Sequence, residues 1–206
     1  MKRIALVLCL AVLSFQSSEA LVKFGGGVQG GVSFSSFPEP VSDFYGTGFG
    51  GGAHANLSIM KYFTLRLNGD YFSFSSDKDK LKQLILTSNP GIPSDISVSG
   101  ASASLIGITL DGIGRLPLSG PVTPYAMAGL GINFLSIGDI DVSVPGQGST
   151  SVEVAESETD FGLNFGAGAE FRLAALSIYV EVKYVLIFTE DNSTSHIPIM
   201  IGITLP

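Results

Sequence analysis

Residues 160–173 read DFGLNFGAGAEFRL, and this stretch decides the fold class. Its odd positions, from Phe161 to Leu173, are all apolar, and its even positions are all polar or glycine. A period of two places alternate side chains on opposite faces of a β-strand, and no helix produces that pattern. The next segment, 177–188, repeats the alternation. Only the short step at 174–177 separates the two segments, which predicts a tight antiparallel hairpin.

Six further segments alternate less clearly and bring the number of predicted strands to eight: 22–36, 47–59, 63–75, 97–113, 122–137 and 197–205. The connections alternate in length. Three are short (60–62, 114–121 and 174–177), and four are longer and polar (37–46, 76–96, 138–158 and 190–196). Short periplasmic turns and longer outer loops are typical of outer-membrane barrels. The sequence therefore predicts an all-β fold, a closed eight-stranded antiparallel up-and-down transmembrane β-barrel, in which the last strand pairs with the first.

A soluble barrel of lipocalin type is the alternative, since alternation alone does not say which face is inside. Three features favour the membrane. The polar faces carry few charges for a surface in water, glycine recurs on them as suits a crowded interior, and the apolar stripes run the full length of the strands.

The N-terminus has the layout of a secretory signal peptide. Lys2 and Arg3 precede an apolar run over 4–15, and a polar stretch ends at Ala20, where we predict cleavage. The run of about 12 residues is too short for a spanning helix, which needs about 20. Lipidation of Cys9 is not favoured, because Leu8 stands where a small residue is expected. We therefore expect a signal peptide over 1–20 and a single barrel domain over 21–206.

The charge of the exported chain excludes one class of partner. The full chain has 11 Lys and Arg and 18 Asp and Glu, and removal of 1–20 takes Lys2, Arg3 and Glu19, which leaves 9 and 17. An acidic protein of this kind is not expected to bind nucleic acid. Removal of Cys9 also leaves no cysteine, so stability cannot depend on disulfides.

Placing the polar faces inside predicts a cluster of charges in the lumen. Its members are four cations and four carboxylates: Lys23, Arg66, Arg172 and Lys183, with Asp70, Asp111, Glu170 and Glu181. Eight strands enclose little more than side chains, so these charges must pair. The cluster could form a gate or proton path, but a polar plug is favoured. We predict a hairpin register with Arg172 opposite Glu181 and Glu170 opposite Lys183, because like charges directly opposite are unfavourable.

No other constellation predicts catalysis, a cofactor or a metal site. His54 is predicted on an inward face and His196 in an outer loop beside Ser193 and Ser195, without a compact nucleophile–base motif. The third outer loop contains five carboxylates that could hold divalent cations bridging lipopolysaccharide phosphates, although a solvated acidic loop is favoured: Asp139, Asp141, Glu153, Glu156 and Glu158. Residues 77–86 in the second loop could form a short amphipathic helix.

Two stretches resemble a known family. Residues 124–131, Pro-Tyr-Ala-Met-Ala-Gly-Leu-Gly, and the Phe-Gly-rich run 161–171 are similar to strands of the outer-membrane β-barrel domain family, the OmpA-like or opacity-type small barrels. The resemblance implies a barrel inserted by the barrel-assembly machinery, in contact with outer-membrane lipid and lipopolysaccharide. Two departures stand out: no peptidoglycan-binding domain follows, and the chain ends Leu205-Pro206 in place of an aromatic residue.

These observations lead to three functional hypotheses. We expect a monomeric, non-enzymatic integral barrel with a plugged lumen that supports envelope structure or surface contact. The first alternative is a narrow channel or transporter for small or apolar solutes, and the second, less favoured, is a lipid A-modifying enzyme.

Overall fold

Eight strands close into one barrel, as the sequence predicts. The computed structural model describes residues 22–36, 45–88, 96–100, 102–144, 148–152, 158–173, 176–189 and 193–205. The barrel strands are β1 (Lys23–Ser36), β2 (Tyr45–Met60), β3 (Phe63–Ser76), β5 (Ala103–Arg115), β6 (Val122–Ile137), β9 (Glu158–Leu173), β10 (Leu176–Phe188) and β11 (Ser193–Leu205). They pair antiparallel in the closed order β1-β11-β10-β9-β6-β5-β3-β2. The pairing of β1 with β11 removes both sheet edges, which a barrel in lipid requires.

The outward and inward faces follow the period-two pattern. In β9, the side chains of Phe161, Leu163 and Phe165 are 49%, 42% and 57% exposed, whereas Asn164 and Glu170 between and beyond them are buried. The same division runs around the barrel: a band of large apolar side chains faces outward, and the interior holds polar and charged side chains with an apolar group toward each end. A lipocalin-type barrel has the opposite arrangement. The membrane alternative is therefore the one that the structure supports.

Inward glycines make room for large inward side chains on the neighbouring strand. A Cβ on Gly168 would lie 2.4 Å from the Tyr125 ring, and one on Gly202 would lie 2.4 Å from the Tyr179 ring. Glycines are paired with large inward residues at many positions, among them Asp70↔Gly52, Asp111↔Gly129, Tyr125↔Gly168, Lys183↔Gly166 and Tyr179↔Gly202. Strand register is therefore set largely by the fit of bulk against glycine.

The predicted register of the β9–β10 hairpin is wrong for this reason. Arg172 pairs with Ser177, and Glu170 pairs with Tyr179. Glu181 and Lys183 instead lie opposite Gly168 and Gly166, whose missing side chains leave space for them. The predicted register assumed that opposite charges pair between adjacent strands. In the structure the space beside the glycines accommodates the large side chains, and the charges have partners across the lumen.

The described parts of the second and third long connections form a helix and a small sheet at one end of the barrel. Helix α1 (Lys78–Ser88) follows β3, and β4 (Ser97–Gly100), β7 (Ile140–Val144) and β8 (Gly148–Val152) form a three-stranded sheet in the order β4-β7-β8. Leu81 of α1 and Ile96 before β4 are buried. The short helix confirms the expectation for 77–86, while the predicted strand 97–113 divides into β4 and β5. No helix among these described residues is long and apolar enough to span a bilayer.

Some expectations from the sequence concern residues that the structure does not describe. The signal peptide over 1–20, the hairpin residues 174–175, the loop carboxylates Glu153 and Glu156, and the final Pro206 lie outside the described residues. The expected outer loop 190–196 is wrong in its second half, because β11 begins at Ser193.

Candidate functional site

Five charged side chains meet in the middle of the lumen, and we call them the central cluster: Arg66, Asp70, Asp111, Glu181 and Lys183. All are at most 8% exposed. Arg66 Nη1 donates to Glu181 Oε2 at 2.8 Å, and Lys183 Nζ lies 3.6 Å from Asp70 Oδ2, 3.8 Å from Glu181 Oε1 and 4.0 Å from Asp111 Oδ2. These residues come from β3, β5 and β10. Apart from the Lys183–Glu181 contact within β10, the ion pairs cross the lumen and do not run between paired strands.

Neutral polar groups supply further hydrogen bonds to the central cluster, while Glu181 Oε1 has no hydrogen-bond partner among the described residues and has Lys183 Nζ at 3.8 Å. Asn68 Nδ2 donates to Asp111 Oδ2 at 2.6 Å, and Asn164 Nδ2 donates to Asp111 Oδ1 at 2.9 Å. The Tyr125 hydroxyl donates to Glu181 Oε2 at 2.8 Å, and Arg66 Nε donates to Asn56 Oδ1 at 3.1 Å. Such hydrogen bonds offset part of the cost of burying charge.

A second chain of polar groups joins β1, β2, β10 and β11 to the same cluster. The Tyr179 hydroxyl donates to Gln29 Oε1, and Gln29 Nε2 donates to Asp70 Oδ1. His54 Nδ1 lies 3.2 Å from the Tyr179 hydroxyl, and His54 Nε2 lies 2.9 Å from Thr204 Oγ1. The Arg66 guanidinium also lies over the Tyr179 ring, 4.8 Å from its centroid. His54 is therefore inward, as the sequence predicts.

A separate group of charges lies at the short-turn end of the lumen. Glu170 accepts from Arg115 Nε at 2.9 Å, from Arg172 Nε at 3.3 Å and from Ser177 Oγ at 2.9 Å. Arg115 Nη1 also donates to Thr64 Oγ1 at 2.6 Å. Glu170 is thus buried in the lumen, as predicted, whereas the Arg172 side chain, also predicted inside, is 60% exposed, and both lie apart from the central cluster.

One cation that the sequence predicts in the lumen is exposed, and another cation that it does not predict lies there. Lys23 is exposed at the start of β1, and it has no place in either group. Arg115 takes the fourth cationic position, because β5 continues two residues beyond the predicted end at 113. The signal was present in the sequence: Arg115 continues the inward series of Thr109, Asp111 and Ile113.

Apolar side chains close the lumen above and below the central cluster. A group at the long-loop end packs inward: Phe72, Phe74, Ala103, Leu105, Val185, Ile187 and Met200. A smaller group lies toward the short-turn end: Ile113, Tyr125, Met127 and Tyr179. Two small cavities remain in the long-loop half, lined in part by Asn133, Asn164 and His196, and each has room for about one water-sized sphere.

His196 lies inside the barrel, so its assignment to an outer loop is wrong. It is 5% exposed, and its Nδ1 lies 2.9 Å from Ser33 Oγ, which is itself fully buried. The polar composition of Ser193–His196 predicts a loop. In the structure, however, Thr194 and His196 continue the inward series of β11. Ser33 is the hydroxyl that sequence reasoning did not connect with His196.

The described carboxylates of the outer loops remain in solvent. Asp139, Asp141 and Glu158 are exposed. Among the described residues, no group of three or more His, Cys, Asp or Glu side chains is arranged to hold a metal ion.

Comparison with known protein families agrees with this geometry. The model of the outer membrane protein β-barrel domain matches residues 5–202. The chain belongs to this family. Comparison with curated protein sequences found no match.

Solved structures of small outer-membrane barrels have the same fold. Neisserial surface protein A is 15% identical over 89% of this chain and 97% of its own, with a TM-score of 0.55. A major outer membrane protein from Thermus thermophilus is 15% identical over 89% and 99%, with a TM-score of 0.51. The attachment invasion locus protein Ail of Yersinia pestis is 15% identical over 89% and 99%, with a TM-score of 0.46. The family indicates an outer-membrane location for this chain.

Proposed function

We propose that this protein is a non-enzymatic barrel whose lumen is plugged and whose contribution is to envelope structure or to surface contact through its outer loops. The observation that carries the proposal is the central cluster. Arg66 reaches from β3 to Glu181 on β10, and Lys183 lies within 4.0 Å of three carboxylates. Passage of a hydrated solute would require these pairs to separate inside a space without bulk water, which is costly.

Conductance in planar lipid bilayers tests the plug. Insertion is first checked by the heat-modifiable migration of the folded barrel on a denaturing gel. We expect no single-channel steps from the inserted protein at moderate voltage and salt. Regular steps that scale with salt concentration would contradict the plugged lumen.

A narrow channel for small solutes is the second candidate, and one observation favours it. Asn133 Nδ2 and Asn164 Oδ1 are buried without a hydrogen-bond partner, and both residues line the cavity beside Lys183. A polar solute entering from the long-loop end would satisfy these two atoms. Asn133→Leu would then lower the uptake of such a solute into vesicles, whereas a plugged barrel predicts no uptake by either form.

We further propose that the Ser33–His196 pair is structural. A lipid-modifying enzyme needs its nucleophile where an acyl chain can reach it, but Ser33 is fully buried and His196 packs edge-on against Phe72 inside the lumen. Release of acyl chains from lipid A by the purified protein, lost in His196→Ala or His54→Ala, would contradict this interpretation.

The remaining proposals concern export, membrane insertion, lipid contact and oligomeric state. We propose export with cleavage after Ala20, one barrel domain over 21–206, insertion by the barrel-assembly machinery, contact with outer-membrane lipid and lipopolysaccharide, and a monomeric state. The charged N-terminus and the apolar run over 4–15 support the export step. Light scattering of the purified barrel in detergent tests the monomer.

A further inference from the structure

The two ends of the barrel differ in charge. The short-turn end has four basic residues, Lys23, Lys61, Arg115 and Arg172, and its carboxylate among the described residues is Glu170. The connections at the opposite end contain most of the acidic residues of the chain, together with the three lysines of α1. A negatively charged partner is therefore favoured at the short-turn end and disfavoured at the opposite end.

Three of these basic residues lie on inward strand faces where the lumen opens at this end. Lys23 is the first residue of β1, Arg115 is the last residue of β5, and Arg172 is the second-last residue of β9. Each is an even number of positions away from a buried inward residue of its own strand, which places it on the lumen face. We call Lys23, Arg115 and Arg172 the basic mouth.

The Arg172 side chain is held at its base and exposed at its tip. Its Nε donates to Glu170 Oε1 at 3.3 Å, and Glu170 is itself fixed by Arg115 Nε at 2.9 Å and by Ser177 Oγ at 2.9 Å. The Arg172 side chain is nevertheless 60% exposed, and its polar contacts with other described side chains are made through Nε. Its two Nη groups therefore remain available as a planar fork, the geometry that binds a carboxylate with two hydrogen bonds.

Lys23 supplies a second available cation at a defined distance from Arg172. It is exposed, and its ammonium group contacts none of the described carboxylates. Around the barrel, β10 and β11 separate β9 from β1. At about 4.8 Å for each strand spacing, the backbones at Arg172 and Lys23 lie roughly 14 Å apart. An extended chain places side chains four residues apart on one face at about 13 Å, so its carboxylates can meet both cations while each cation stays near its own strand.

We propose that the basic mouth docks an extended acidic segment of a periplasmic protein. One carboxylate of the segment accepts two hydrogen bonds from the Arg172 fork, and a second carboxylate four residues away pairs with Lys23. Each exposed ionic contact strengthens binding by about fivefold at most, so a single small anion binds weakly, whereas a segment with several carboxylates combines the contacts. The short turns of outer-membrane barrels face the periplasm, so the acidic outer connections of a second copy of this chain do not reach the mouth.

The test compares two double variants with equal changes in charge. The mouth variant is Lys23→Gln with Arg172→Gln, and the control variant is Lys78→Gln with Lys80→Gln on α1. Amide chemical shifts of the isotope-labelled barrel in non-ionic detergent follow a titration with a Ser/Thr peptide that carries two aspartates four residues apart. A second peptide has the same composition, but its two aspartates are adjacent. The amide spectrum also shows that each variant is folded, and Lys23→Gln alone serves if the mouth variant fails to fold.

We expect the spaced peptide to shift amides at the short-turn end. It should bind about tenfold more weakly to the mouth variant and about threefold more weakly to Lys23→Gln alone, with a change of less than about twofold in the control variant. Arg172→Lys keeps the charge but loses the fork, so it should weaken binding by about threefold. Raising the salt from about 0.05 M to about 0.5 M should weaken binding severalfold, because exposed charges are screened.

Three results would overturn the proposal: unchanged affinity in the mouth variant, an equal loss in the control variant, or equal affinity for the two peptides. Displacement of the spaced peptide by inorganic phosphate at the same concentration of charge would also overturn it and assign the mouth to a small anion.

Discussion

Lys183→Met is the most direct test of the plug. The lysine side chain is 3% exposed, and its Nζ lies 3.6 Å from Asp70, 3.8 Å from Glu181 and 4.0 Å from Asp111. Methionine fills nearly the same space, so the substitution removes the charge without opening a large cavity. Three carboxylates then share the middle of the lumen, and the cation that remains in the central cluster is Arg66.

The expected loss follows from the contacts that are left. Arg66 still neutralises Glu181 at 2.8 Å, and Asp111 keeps its hydrogen bonds from two asparagines. Asp70 keeps the hydrogen bond from Gln29 but loses its cation. Removing one partner of a buried ion pair costs about 3–5 kcal/mol. Because the hydrogen bonds persist, we expect a fall of about 3 kcal/mol in the free energy of unfolding at pH 8.

Urea unfolding of the barrel from lipid vesicles, followed by the heat-modifiable shift on gels, measures the change. Lys78→Met on the exposed face of α1 is the matched control and should change stability by less than about 0.5 kcal/mol. Adding Asp70→Asn to Lys183→Met should recover part of the loss, because it removes the carboxylate left without a cation and keeps an oxygen that accepts from Gln29. A loss below about 1 kcal/mol at pH 8, with no recovery in the double variant, would refute the reasoning.

Three further outcomes are expected. Gly168→Ala should destabilise the barrel by about 1–3 kcal/mol, because its Cβ would meet the neighbouring tyrosine ring at 2.4 Å, whereas Gly69→Ala, where a Cβ meets nothing within 4 Å, should be neutral or slightly stabilising in the same urea assay. Arg115→Met should cost about 2–4 kcal/mol by leaving Glu170 with the exposed Arg172 as its cation and with the hydrogen bond from Ser177, and equal stability of the two forms would contradict the pairing. N-terminal sequencing of the protein from outer membranes should begin at Leu21, and an intact N-terminus there would contradict cleavage.

The faces of the strands could be predicted because the information is local. A period of two over ten or more residues assigns each side chain to one face without knowledge of any other strand. The inward positions of Arg66, Asp111 and Lys183 follow from that rule alone. The ends of strands are less well marked, because polar inward residues near a mouth resemble a loop in composition. This is why Arg115 and His196 were assigned outside their strands.

The pairing within the site could not be predicted, because it depends on distances across the barrel. On the adjacent strand the predicted partner of Glu181 is Arg172, but in the structure Arg66 on β3 binds Glu181 across the lumen. In the observed register Gly166 and Gly168 lie opposite Lys183 and Glu181 and leave space for these side chains. Because the inward residues of β10 from Tyr179 to Ile187 are all large, matching bulk to glycine does not by itself select this register from the sequence.

The polar interior helps to determine which face of each strand turns inward, in addition to any contribution to stability. Well-packed apolar side chains can replace buried ion pairs at little cost, so the central cluster is not required merely to hold a barrel together. In lipid, however, an apolar interior would make the two faces of every strand alike, and a shift by one residue would then carry little penalty. With Arg66 and Glu181 on the inward faces of β3 and β10, the same shift moves buried charges into hydrocarbon, which costs several kcal/mol for each charge. The charges thus specify which face turns inward, and the glycines specify the register between neighbours. If the lumen is committed to folding in this way, as the proposed plug requires, the outer loops and the basic mouth are the surfaces left for contact with partners.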